Sequence, residues 1–316
     1  MFRVAVLVTG GAGFIGSNLV GRLAADGVTV SVIDDFSTGR RGNLDHLGGT
    51  IDVRTGDIRD EGAVRRAVAE MEVVYHLAAL PSVARSISDP ARTHAVNVDG
   101  TLNVLNAARA EGVRRVVYAS SSSVYGDTPT LPKHEDMAQA PRSPYAASKL
   151  AGESYCRAYA HSLDVATVSL RFFNVFGPRQ DPASEYAAVI PRFITRMLDG
   201  DQPVIFGDGK QTRDFTFVDN VVRACILASG AGPRAVGEVV NIGCGDRISL
   251  LDLVDALNAE LGIELTPEFA PPRTGDVRDS QASVTKASEL IGYRPTVSLN
   301  DGLRATIDWF RDARAV

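Results

Sequence analysis

Apolar residues fall into short unbroken runs through the first half of the chain and into scattered clusters through the second. Residues 3–8 (RVAVLV), 28–33 (VTVSVI), 51–58 (IDVRTGDI), 73–79 (VVYHLAA), 113–119 (VRRVVYA) and 164–170 (DVATVSL) each read as a strand. The unbroken runs among them, 3–8 and 73–79, suit buried strands of a parallel sheet. Helical periodicity fills the intervals, as in residues 17–23 and the long pattern from Thr93 to Ala110. Strands alternating with helices predict an α/β fold, a Rossmann-type doubly wound parallel sheet. After residue 175 proline and glycine become frequent, and short helices and strands replace the regular alternation. The expected division is a dinucleotide-binding domain over 1–175 and a smaller α/β substrate domain over 176–316. The segment near 214–243 is expected to return to the first domain.

The first strand runs into Thr9-Gly-Gly-Ala-Gly-Phe-Ile-Gly16 and then a helix. Gly10, Gly13 and Gly16 fit one glycine fingerprint; Gly11, Gly13 and Gly16 fit another. In a strand–turn–helix context such glycines permit a tight turn and close approach of a pyrophosphate to backbone N–H groups. Asp34 and Asp35 end the second strand, 18 residues beyond Gly16. A carboxylate there accepts ribose hydroxyls and repels a 2′-phosphate, which points to NAD rather than NADP. Arg40 and Arg41 are a counter-signal, or else solvated loop charges. Asp57 sits at the next strand end, either near an adenine or as a turn aspartate. His76 reads as a core histidine.

Tyr145 and Lys149 are four residues apart behind Pro144, so a helix starting there puts both on one face. An ammonium beside a phenol favours the phenolate, and a phenolate at neutral pH is a general base for a hydroxyl. The same pair is also compatible with a solvated helix face. Ligands of doubly wound sheets bind at the carboxyl ends of the strands, where all these candidates fall. Arg192, Arg213 and Arg273 lie in the second half, either as surface charges or closing over an anionic substrate.

Size and composition narrow the setting. The 316 residues carry a net charge of −5, which gives no reason to expect a nucleic acid partner. Cys156, Cys225 and Cys244 are widely separated, so neither a disulfide framework nor a metal site is expected. No apolar run approaches the roughly 20 residues that span a bilayer. The start of the chain shows no signal-peptide pattern, so a cytoplasmic protein with no membrane partner is expected.

These residues resemble the extended short-chain dehydrogenase/reductase superfamily, and within it the nucleotide-sugar 4-epimerases. The likeness spans nearly the whole chain. It rests on the glycine turn, Asp34-Asp35, Tyr75 to Ala79, Ser120 to Gly126, Tyr145 with Lys149, Arg171 to Pro178, Arg213 to Phe215, Val218-Asp219, Asn241 to Gly243 and Arg273 to Asp276. It implies a tightly held NAD that takes the hydride from sugar C4 and returns it after the 4-keto sugar has turned over. Tyr145 would be the base, Lys149 would tune it and hold the nicotinamide ribose, and Ser121 would bridge Tyr145 and the sugar oxygen. The implied cofactor contacts are Gly10, Gly13, Phe14, Ile15, Gly16, Asp34, Asp35, Ser37, Thr38, Gly39, Asp57 and Ile58. They continue with Leu77, Ala78, Ala79, Asn97, Ser120, Tyr145, Lys149 and Phe172.

For the UDP-sugar, the resemblance implies contacts from Ser82, Ser121, Ser122, Ser123, Asn174, Ala188, Val189, Arg192, Val204, Phe206, Arg213, Arg273, Asp276 and Ser280. Two arginines on a diphosphate match the bidentate habit of guanidinium. Related 4,6-dehydratases carry an Asp-Glu pair at the positions of Ser122 and Ser123, and UDP-glucuronate decarboxylases usually carry Glu at that of Ser123. Serines there point away from both. Ala188 and Pro81 depart from residues found in some relatives. A small Ser280, where some epimerases have tyrosine, implies room for a 2-acetamido group. The implied activity is UDP-hexose 4-epimerisation on the glucose/galactose pair and on the N-acetyl pair. Arg192 keeps UDP-glucuronate as the alternative, with a non-catalytic dinucleotide-binding sensor on the same fold behind it, and a homodimer is implied through the helices near 93–110 and 145.

Overall fold

The computed structural model describes residues 4–182, 189–272 and 277–315. Seven strands form one sheet: β1 Ala5–Thr9, β2 Thr29–Asp34, β3 Asp52–Thr55, β4 Val73–His76, β5 Arg115–Ser121, β6 Thr167–Phe172 and β7 Glu238–Ile242. Their order is β7-β6-β5-β4-β1-β2-β3, and every neighbouring pair is parallel. The order reverses at β1, between β2 and β4, which opens a crevice at the strand ends. The predicted α/β doubly wound fold is the one observed. Among the described residues, helices of eight or more residues are α1 Phe14–Ala25, α2 Glu61–Val68, α3 Gly100–Ala110, α4 Pro144–Ser162, α5 Val189–Leu198, α6 Val218–Gly230, α7 Leu250–Leu261 and α8 Leu299–Ala315. None is long and apolar enough to cross a membrane.

The inner strands are buried on both faces, successive side chains pointing opposite ways, while the edge strand β3 has no buried residue. Val6, Val8, Val30, Val32 and Tyr75 pack on one side with Leu19 and Val20 of α1 and Val221 and Val222 of α6. Leu7, Ile33, Val74, Val116 and Tyr118 pack on the other with Val64 of α2, Val104 and Leu105 of α3, and Cys156 of α4. Each large apolar side chain so buried contributes about 1.5–3 kcal/mol. The helix pattern read from Thr93 to Ala110 is broken in the structure. A short helix Pro90–His94 passes into a π turn at Ala95–Asp99 before α3 begins. The extra residue in that turn goes with a buried Asn97, whose Oδ1 accepts from Leu80 N at 2.8 Å while its Nδ2 reaches Leu80 O and Ser148 Oγ.

Beyond β6 the sheet gives way to three two-stranded ladders. Val175–Phe176 pairs with Thr216–Phe217, Val204–Phe206 with Glu268–Ala270, and Thr212–Arg213 with Ile248–Ser249. Leu250, Leu253, Leu257, Leu303, Ile307 and Phe310 pack in one cluster with the α1/α6 side of the sheet. The C-terminal part is thereby fixed to the strands that carry the crevice.

Candidate active site

A cavity of about 950 Å³ runs along the carboxyl ends of the sheet strands. Its lining includes Gly10, Gly13, Phe14, Ile15 and Gly16 of the glycine turn, Asp34, Asp35, Ser37, Thr38 and Gly39 beyond β2, and Asp57 and Ile58 beyond β3. Leu77, Ala78, Ala79 and Ser82 follow β4, and Ala119, Ser120, Tyr145, Lys149 and Phe172 close the far end. The sequence spreads these residues over 163 positions (172 − 10 + 1); the parallel topology gathers them on one edge.

The turn after β1 is shaped by Gly10, whose φ is +70°. A Cβ there would come within 2.7 Å of the Ala78 backbone, so only glycine lets the β1 and β4 ends meet. Helix α1 begins at Gly13 with no side-chain cap, whereas Asp60, Ser143 and Ser249 cap α2, α4 and α7. Its first-turn N–H groups therefore face the cavity without a side-chain acceptor, which suits a pyrophosphate. Asp34 is buried, and its carboxylate accepts from Ala12 N at 2.9 Å and Phe36 N at 2.8 Å. Burial pushes its pKa up and these two bonds oppose that. Each oxygen keeps a lone pair for a ribose hydroxyl. Arg41 stacks 4.4 Å over the Phe36 ring and donates to Thr55, while Arg40 pairs with Asp181 at 2.6 Å. Both arginines, the sequence counter-signal to NAD, are thus engaged elsewhere. Asp57 lines the cavity with its carboxylate held by Arg59, whose guanidinium keeps its pKa below the usual range.

At the other end, Ser143 caps α4 by accepting from Ala146 N, and Pro144 takes the first helical position. Tyr145 and Lys149 then project from one face of α4 into the cavity, as their spacing predicts. Helix α4 lies close on β5 because Gly152 leaves room for the Tyr118 hydroxyl; any Cβ there would overlap it. Lys149 donates to the carbonyl of Ala119 at 2.8 Å, and burial pulls its pKa down to about 8. The expectation that Lys149 lowers the Tyr145 pKa is not met. Burial pushes the Tyr145 phenol up, and the group opposing this is the Ser121 hydroxyl. The ammonium is turned to the strand carbonyl instead. Ser121, the last residue of β5, also accepts from Ser123 N at 3.2 Å and from the Ser123 hydroxyl at 2.9 Å. Asn97 does not line the cavity; it sits behind the wall, bridging Leu80 and Ser148.

Most of the expected substrate residues form a second group. Asn174, at φ +30°, donates to Asp214 O at 3.0 Å and lies 3.4 Å from the Ser280 hydroxyl. Arg213 donates to the carbonyls of Thr212 and Arg278. The Arg192 guanidinium lies 5.7 Å from the Phe206 ring centroid, Val204 begins the Phe206 strand, and Val189 starts α5. Ser122 and Ser123 continue from Ser121 in a single 3₁₀ turn. Ala188, Arg273 and Asp276 lie outside the described residues.

Three features escaped the sequence reading. Asp214 is fully buried and accepts from the backbone N–H groups of Cys244, Gly245 and Ala282 at 2.8–3.0 Å, so it ties the Arg213 strand to two other segments. Arg179 donates to Asn18 Oδ1 at 3.1 Å, and with Asp181 it carries the loop after Phe176 across the mouth of the cavity. Glu153 pairs with Arg171 beside the Tyr145 and Lys149 end of the cavity. For Glu153 the signal was available, four residues past Lys149; for the loop contacts it was not.

These observations define a dinucleotide-dependent enzyme of the doubly wound class, with a Tyr/Lys/Ser set at one end of the cofactor groove. The chain belongs to the NAD dependent epimerase/dehydratase family, whose model matches residues 6–243, and NAD is the cofactor. It is 45% identical to a UDP-glucose 4-epimerase of Mycolicibacterium smegmatis, over 97% of this chain and 98% of that one. Among solved structures it resembles a UDP-N-acetylglucosamine 4-epimerase of Methanobrevibacter ruminantium, at 36% identity and TM-score 0.94 over 99% of this chain and 100% of the other. It also resembles a UDP-glucuronic acid 4-epimerase of Bacillus cereus solved with UDP-glucuronic acid and NAD, at 35% identity and TM-score 0.90 over 98% and 99%.

Proposed function

We propose that this enzyme inverts C4 of UDP-hexoses, acting on UDP-glucose/UDP-galactose and on the N-acetyl pair. The observation that carries the reading is the meeting of Tyr145, Lys149 and Ser121 at one end of the NAD groove, with serines and no acid at 122 and 123. When bound, NAD accepts and returns the C4 hydrogen, and its positive ring favours the ionised form of a nearby phenol. Tyr145 takes the proton of the C4 hydroxyl and gives it back to the other face. Ser121 hydrogen-bonds the same oxygen and opposes the effect of burial on the phenol. Lys149, held at Ala119, presents its remaining N–H donors to the nicotinamide ribose. The cofactor side chains are the cavity-lining set named above, with Asn97 acting through the wall. Asn174, Arg213, Arg273 and Asp276 serve the nucleotide and diphosphate, together with Ala188, Val189, Val204 and Phe206. Residues 1–175 with the segment near 214–243 form the NAD domain, and the remainder receives the UDP-sugar.

Ser280 supports the wider sugar range. It is a small side chain, buried beside Asn174. The second reading, UDP-glucuronate 4-epimerisation, is favoured by Arg192, whose charge suits a sugar carboxylate. A homodimer is supported by apolar exposure on Val83, Ile87 and Tyr155, from two helices that pack against each other. A cytoplasmic setting fits the three free cysteines. Proton NMR of the purified protein with UDP-glucose, UDP-GlcNAc and UDP-glucuronate in separate tubes tests the reading. Each sugar and its 4-epimer differ in the anomeric signal. Conversion of the first two is expected; conversion of UDP-glucuronate alone would replace this reading by the second.

A further inference from the structure

Glu153 stands one helical turn beyond Lys149 on α4, on the same face and almost fully buried, its side chain 4% exposed. Its Oε1 accepts from the Ser120 hydroxyl and from Arg171 Nε at 2.9 Å; its Oε2 accepts from Arg171 Nη2 at 2.7 Å. Ser120 and Arg171 are register partners across β5 and β6. Three consecutive residues of β5 are therefore each tied to α4. Ala119 takes the Lys149 ammonium, Ser120 donates to Glu153, and Ser121 engages the Tyr145 phenol. The Arg171 guanidinium lies 4.6 Å from the Tyr125 ring centroid, and its Nη1 has no hydrogen-bond partner among the described residues.

A buried ion pair gives little net stability, since the loss of hydration offsets most of the attraction. Apolar residues of similar volume would hold α4 on the sheet as well. What they would not supply is a negative charge next to Lys149. The groups facing Lys149 are Tyr145, Glu153 and Cys156 on its own helix, His76 on β4, and Tyr118 on β5, whose ring centroid is 5.2 Å from Nζ. Arg171 on β6 pairs with Glu153. His76 is pushed down to about 3 by burial and is neutral, and the Cys156 thiol is pushed up to about 12. Glu153, paired with the Arg171 guanidinium, is therefore the acidic side chain of this set. Cys156 and, after it, Glu153 act against the burial that pulls Lys149 down.

We propose that Glu153 is a positioning residue for the reaction: its acidic group one turn from Lys149 and its bond to Ser120 hold Lys149, Ser121 and Tyr145 in one arrangement. The inference rests on the roles given above to Lys149 and Tyr145. It is tested with Glu153→Gln, and with Glu153→Gln/Arg171→Met, which also removes the guanidinium that the first variant leaves buried and unpaired. NAD affinity is measured by calorimetry from neutral to alkaline pH, and kcat/KM on UDP-glucose over the same range. In the parent both are expected to fall as Lys149 loses its proton. In both variants that fall is expected to begin about one pH unit lower, with the smaller displacement in the double variant. The double variant is expected to recover most of the thermal stability that the single one loses. A fall that starts at the parent's pH in folded variants would reduce Glu153 to a packing residue and overturn the proposal, as would a double variant that does not fold. The NAD titration needs no sugar. Absent turnover in the parent with a displaced NAD limb would therefore sink the sugar reading and leave this one standing.

Discussion

The two halves of the site are built in opposite ways. The NAD half hangs on a continuous seven-stranded sheet, and each polar group there stands at a strand end or on the helix that follows. The half proposed for the UDP-sugar hangs on three two-stranded ladders, and its polar groups are held by side chains that reach across loops. In the first half backbone geometry does the placing: Gly10 lets two strand ends touch, and the uncapped start of α1 supplies donors. In the second, one buried carboxylate, Asp214, substitutes for a sheet by gathering three segments. Positions set by regular backbone are robust to single changes, and positions set by one side chain are not.

That contrast yields four graded expectations. The largest effect belongs to chemistry rather than placement. Tyr145→Phe should lower kcat on the order of a thousandfold while NAD remains bound, since it removes the proposed acid–base group and no wall of the groove. A variant that keeps turnover would dismiss Tyr145 as the base. Next comes Asp214→Ala, which leaves three backbone N–H groups without an acceptor and should cost about 3 kcal/mol in denaturant unfolding. Its pH signature has a definite sign. Burial raises the Asp214 pKa to about 6 from an ordinary 3.8, so the folded state binds more protons than the unfolded one between those values. The stability this group contributes is full below about 3.8 and is lost as pH rises through 6. Asp214→Asn should therefore gain relative to the parent as pH rises across that window, measured as unfolding free energy at each pH; a constant difference would refute the shift.

Smaller effects sharpen the comparison. Ser280→Tyr should reduce kcat/KM for the N-acetyl sugars by about tenfold or more and spare UDP-glucose, because it fills space near Asn174 without touching the NAD groove. Equal loss on both sugars would mean that Ser280 does not discriminate. Arg40→Ala breaks an exposed ion pair across the cavity mouth, so NAD release should quicken by less than about threefold. Stopped-flow release of NAD would show this, and a larger change would make the loop a true closure.

The same contrast explains what the sequence revealed. Most of the sheet was legible because a buried parallel strand is an apolar run, and such runs precede residue 171; the edge strand at 51–58 is mostly polar. The glycine turn, Asp34 and the Tyr145/Lys149 pair were legible because their spacing is fixed by a turn and by a helix. The break at Ala95–Asp99 was not, since a π turn keeps the apolar periodicity almost unchanged. The state of Tyr145 was misread because proximity on a helix face says nothing of where an ammonium points; here it points to Ala119. Arg179 and Asp214 were hidden for another reason. Their partners lie far along the chain, Asn18 in one case and Cys244, Gly245 and Ala282 in the other, and no local pattern encodes such pairings.

The central claim is that C4 is inverted by a hydrogen that the bound cofactor takes and returns. The most direct measurement is conversion of UDP-glucose in deuterium oxide, followed by proton NMR at C4 of the product. The account predicts UDP-galactose that retains protium at C4, with no net accumulation of NADH. Deuterium at C4, or NADH accumulating without the 4-epimer, would contradict it.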